Sequence, residues 1–176
     1  MESSSGDGTP DTAGFERAAC LSLLAAVFAS HASEMASVAT TLAADDVELL
    51  DPPAATCYRV AVDLASTGID PSALEVQAEL LRLGLFAGHR GELVKTRMLD
   101  SATRVSTPAR LSDIAATVLA IVFRARLVAA GNAIAITALN GAEDDAWQVL
   151  VREGITARSV WDRLSHLRSQ RGESVA

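Results

Sequence analysis

The sequence predicts an all-α protein, a compact bundle of about five helices followed by a long helical hairpin. Three observations carry this reading. Apolar residues recur at intervals of three and four through most of the chain. Proline, glycine and aspartate gather at the breaks between those runs, where caps and turns need them. No segment alternates apolar with polar residues as a half-buried strand would. The 176 residues are 49% hydrophobic, 21% charged and 4% aromatic, enough for one domain with a core of Ala, Leu and Val. Fifteen basic against 22 acidic residues give a net charge of −7, which argues against a surface that grips a phosphate backbone.

Residues 1–13 open with Met-Glu-Ser-Ser-Ser-Gly-Asp-Gly and read as a flexible tail. A helical body over 14–106 follows. Its first helix is expected over Phe15 to Ser30 and its second over Glu34 to Ala43, with Met35, Val38 and Leu42 inward. Asp45 to Pro53 is a break, because Asp51-Pro52-Pro53 cannot continue a helix. A third helix then places Tyr58, Ala61, Val62 and Ala65 on one face and stops at Thr67-Gly68. Asp70-Pro71 is expected to cap the fourth, with Leu74, Ala78, Leu81 and Leu85 inward and Gly84 closing it. Gly88 to Gly91 reads as a turn and Glu92 to Ser101 as a short fifth helix.

The hairpin is expected over 107–170, with a C-terminal tail over 171–176. Thr107-Pro108 repeats the cap-and-proline signal and opens the longest periodic run, from Leu111 through Ile114, Val118, Ile121, Val122, Val128 and Ile136 to Leu139. Asn140-Gly141 turns the chain. The return arm carries Trp147, Leu150 and Val151, then Val160, Trp161, Leu164 and Leu167, and Glu153-Gly154 is expected to split it in two. An amphipathic hairpin of this length on a small body exposes a stripe that a partner must cover. The expected interface residues are Ile114, Val118, Ile121, Val122, Val128, Ile136, Trp147, Leu150, Trp161 and Leu164, and Arg124 and Arg126 are candidates to meet an acidic partner.

Catalytic signals are missing from the sequence. A phosphate-binding loop needs Lys after its glycine, whereas the one lysine, Lys95, follows Glu92-Leu93-Val94. Gly84, Gly88 and Gly91 do not form a dinucleotide-binding turn. His31, His89 and His166 each have a single acid nearby, too few for a metal site, so neither a metal nor another cofactor is expected. Cys20 and Cys57 lie in apolar runs and read as buried free thiols, in keeping with a reducing cytoplasm. Residues 18–29 look like the core of an export signal, yet acids rather than bases precede them. Arg124 and Arg126 interrupt the apolar stretch from Ile114 to Leu139, so no membrane span is expected.

Over roughly residues 15 to 140 the order of these signals resembles the N-terminal domain of DnaB-type replicative DNA helicases. The most specific piece is Ala78-Glu79-Leu80-Leu81-Arg82-Leu83-Gly84. Cys57 to Leu64 resembles a helix of that family, and Thr107-Pro108 with the run through Arg124, Arg126 and Leu127 to Gly131 resembles the first arm of its hairpin. The chain departs from the family at Val47, where an aromatic is usual, at Gly88-His89-Arg90-Gly91, where a glycine pair is usual, and in the wholly apolar run Leu119 to Phe123. The resemblance implies a non-catalytic module that pairs with itself through the hairpin and offers a surface to a replicative helicase, primase or loader. The ATPase motor domain that follows in a full helicase is missing from these residues, and the acidic charge balance leaves no direct contact with nucleic acid expected. Two other readings stay open. One is a small helical ligand-binding protein with His89 or His166 beside an acid in a pocket. The other is a DNA-binding regulator using Arg158, Arg163, Arg168 and Arg171.

Overall fold

The structure, a computed structural model, describes residues 12–104 and 109–173, with side chains as far as 169. The helices are α1 (Thr12–Phe28), α2 (Ala32–Ala39), α3 (Ala44–Leu50), α4 (Pro52–Ser66), α5 (Ala73–Arg82), α6 (Gly88–Ala102), α7 (Leu111–Asn140) and α8 (Glu143–Glu173). No strand occurs among the described residues. The protein is all-α, as its periodicity predicts.

Helix α4 is the axis of the body and touches α1, α2, α3, α5 and α6. Asp51 starts it by accepting a hydrogen bond from the Ala54 amide at 3.3 Å, with Pro52 and Pro53 in the first turn, where a missing donor costs nothing. Its end is the expected one. Gly68 has φ +82° and the Ile69 amide reaches back to the Leu64 carbonyl at 3.1 Å. Ala54, Ala55, Cys57, Tyr58 and Ala61 are fully buried, and the Tyr58 hydroxyl donates to the Leu42 carbonyl at 2.9 Å, satisfying its one polar atom. The inner half of α7 lies across α1, α2 and α3 and joins the same core through Ala115, Val118, Leu119 and Val122.

Several expectations need correction. The break between Asp45 and Pro53 contains the helix α3, a single short stretch whose Asp46 carboxylate accepts from the Ala43 amide at 3.1 Å. Asp70-Pro71 does not open α5. Ser72 does, accepting from the Glu75 amide at 3.2 Å, while Asp70 crosses to α2 and takes the Ala32 amide at 2.7 Å and His31 Nδ1 at 3.2 Å. Those two contacts, the amide first, hold the Asp70 carboxyl below its ordinary range. Helix α5 buries Val76 and Leu80 and leaves Leu74, Ala78 and Leu81 exposed, because both sets have helical spacing and packing on α4 takes the other one inward.

Gly88 to Gly91 is the first turn of α6. Gly91 packs so closely on the Phe86 backbone that a β-carbon would sit 2.1 Å from the Phe86 carbonyl carbon. Helix α8 runs unbroken through Glu153-Gly154 for 31 residues, since one glycine costs about 1 kcal/mol and packing along α7 outweighs it. The tails are shorter than expected, with Thr12 and Ala13 in α1 and residues 171–173 in α8. Thr107-Pro108 and residues 1–11 lie outside the described residues. The described part of α7 starts at Leu111 with Arg110 as its cap.

Candidate interaction surface on the hairpin

The ten residues expected at an interface divide into two groups along α7 and α8. Val118, Ile121, Val122 and Leu164 are buried in the chain's own core, and Ile114 is packed against it. They are therefore removed from the interface set, because helices α1 to α3 already cover the side of α7 that a partner was expected to take. The apolar run Leu119 to Phe123 belongs to this covered section. Beyond it the picture inverts. Val128 is 66% exposed, Ile136 63%, Trp147 65% and Ile155 67%, and Leu139 at the tip reaches 83%.

The outer arms, residues 124–140 of α7 and 143–159 of α8, extend about 25 Å at 1.5 Å per residue. Ala130 is the one residue in these two segments that is buried. Between the arms runs an open groove of about 430 Å³, lined chiefly by Ile134, Ala138, Ala146, Trp147 and Leu150. A second shallow depression follows Trp147, Val151 and Ile155 along the outside of α8. Ile155 was not foreseen. Its i, i+4, i+8 relation to Trp147 and Val151 was a legible signal, hidden by the expected break at Gly154. Trp161 lies further in and half-exposed, its ring 5.4 Å from Phe123 and within 6.0 Å of the Arg168 guanidinium.

The arginines have other duties. Arg126 lies 3.5 Å from the buried Asp46 and so is engaged within the fold instead of meeting an acidic partner, while Arg124 remains exposed. Arg163 also grips Asp46, and Arg158 pairs with Asp162 at 3.9 Å. That uses up much of the basic set a DNA-binding reading would need. His31, His89 and His166 are all exposed rather than enclosed beside an acid. Among the described residues no three His, Cys, Asp or Glu side chains come together as a metal site would require. Helix α7 has the length and composition to cross a membrane, but its inner half is packed inside the protein.

The groove nearest the chain's one lysine lies between α5 and α6, where Gln77, Leu81, Phe86, Glu92, Lys95, Met98 and Leu99 enclose about 180 Å³. Its polar side chains, Gln77, Glu92 and Lys95, are all exposed, and none of its lining residues is an enclosed nucleophile or base. Cys20 and Cys57, both fully buried, are pushed up to about 12, mainly by burial, which makes them poor nucleophiles. What the surface offers is therefore apolar area on a two-helix arm. Comparison with protein-family models, with curated proteins and with solved structures found no match for this chain.

Proposed function

We propose that the protein is a non-catalytic association module that pairs with a second copy through the outer half of its hairpin. One observation carries the reading, the exposure of Val128, Ile136, Leu139, Trp147 and Ile155 on an arm with little else to bury them. Covering the remaining surface of five such side chains returns roughly 1–2 kcal/mol each, about 5–10 kcal/mol together. A pair covers the set on both copies, about 10–20 kcal/mol, while bringing two bodies together costs about 4–15 kcal/mol, so the surplus of several kcal/mol places pairing through the tips alone in about the micromolar to millimolar range. A two-fold arrangement uses the same patch on both copies and closes without generating fibres.

The resemblance to the N-terminal domain of DnaB-type replicative helicases supports placing this module in DNA replication, where the body would present a surface to helicase, primase or loader. Light scattering over a concentration series tests the pairing. The unaltered chain is expected to gain mass with concentration, and Ile136→Asp or Trp147→Asp to abolish the gain while leaving the helical circular dichroism unchanged. A chain that stays monomeric up to millimolar concentration, or association unaffected by both substitutions, rejects it.

A further inference from the structure

Both arms of the hairpin converge on one carboxylate of the body. Asp46, at the start of α3, is buried and accepts from the Ala43 amide at 3.1 Å. Arg163 of α8 meets it with two nitrogens, Nη1 to Oδ2 at 2.5 Å and Nη2 to Oδ1 at 3.2 Å, and Nη1 also donates to the Thr41 carbonyl at 3.0 Å. Arg126 of α7 brings Nη2 to 3.5 Å from Oδ1, while its buried Nε finds no partner. Two guanidinium groups thus share one negative charge. Without Asp46 they would face each other unneutralised in a largely desolvated corner, where like charges repel strongly.

The support for α8 is uneven. No side chain from 143 to 159 is buried, and among the described α8 side chains Val160, Leu164 and Leu167 are the ones that enter the core. All three lie within four residues of Arg163, so the ion pair and the apolar anchor share about two turns of helix. Helix α7 is secured separately, by α1, α2 and α3 along its inner half. The two arms differ in this respect.

We propose that α8 is a strap with an ionic latch. Asp46, gripping Arg163 from the corner between α2 and α3, holds the inner half of α8 down, and opening that pair releases residues 157–169 as a unit while α1–α6 and the inner half of α7 stay folded. Release uncovers Val160, Leu164 and Leu167 with the α7 side chains beneath them, an apolar face absent from the closed form. The latch is a property of the single chain and does not depend on tip pairing, so a strictly monomeric protein would overturn that pairing and leave the latch intact.

Native-state hydrogen exchange on the full chain, diluted below any association, tests it. Asp46→Asn is expected to speed exchange of the 157–169 amides at least ten-fold while those of α4 and α6 change less than two-fold. Arg163→Gln, which leaves the Ala43 cap of α3 in place, is expected to do the same. Trp161 fluorescence in a Trp147→Phe background is expected to become more accessible to acrylamide in both. Unchanged α8 exchange in both variants, or equal loss of protection in α4, α6 and α8 in both, overturns the proposal.

Discussion

Inside the body Asp51 and Arg97 meet at 2.6 Å with almost no solvent, and the same Asp51 caps α4. Deleting one partner strands the other, so Asp51→Ala is expected to cost about 3–5 kcal/mol in a denaturant titration, more than loss of a cap alone. Cys20 and Cys57 feel both charges, but burial dominates and their folded pKa values of about 12 stand above the unfolded 9.0. Raised values mean stability that is complete below pH 9 and lost as pH climbs from 9 towards 12. Buried Tyr58, pushed upward mainly by burial as well, adds to the same alkaline loss. The urea midpoint is therefore expected to fall between pH 8 and 10.5, with a shallower fall in the Cys20→Ala, Cys57→Ala double variant. A midpoint flat across that interval would contradict the assignment. Alkylation of either thiol at pH 8 is expected to wait for unfolding.

Helices α7 and α8 each carry a glycine at a site where a β-carbon would meet nothing within 4 Å, Gly131 and Gly154. Gly131→Ala and Gly154→Ala are each expected to stabilise by about 0.5–1 kcal/mol, read as a rise in melting temperature. Gly91→Ala is expected to do the reverse, because its β-carbon would strike the Phe86 backbone. The contrast also shows where the sequence was legible. Asp51-Pro52-Pro53 and Thr67-Gly68 mark real helix ends because cap and proline chemistry is local. The fate of Asp70 was hidden, since its partners His31 and Ala32 are distant in sequence. Which face of α5 turns inward was equally hidden, two leucine-bearing faces being available and packing on α4 making the choice. Gly154 looked like a stop because its small local cost could be read and the neighbouring helix could not.

Across the whole molecule the hairpin is half core and half arm, a division periodicity could not reveal because the same three-and-four spacing runs through both halves. Charge substitutions separate them. Val118→Asp and Leu164→Asp would bury an unpaired carboxylate and are expected to cost more than about 3 kcal/mol. Trp147→Asp, on the exposed arm, is expected to change the stability of the dilute monomer by less than about 0.5 kcal/mol. Equal losses at the two ends would mean that the arm is not exposed as described.

Lys95 sits on the rim of the groove between α5 and α6, on the body and not on the arm. Its ammonium is the single side-chain amine of the chain. With the more acidic terminal α-amine first blocked by acylation near neutral pH, an amine-reactive dye would consequently tag one defined place, giving an optical handle on the body for following how the arm moves.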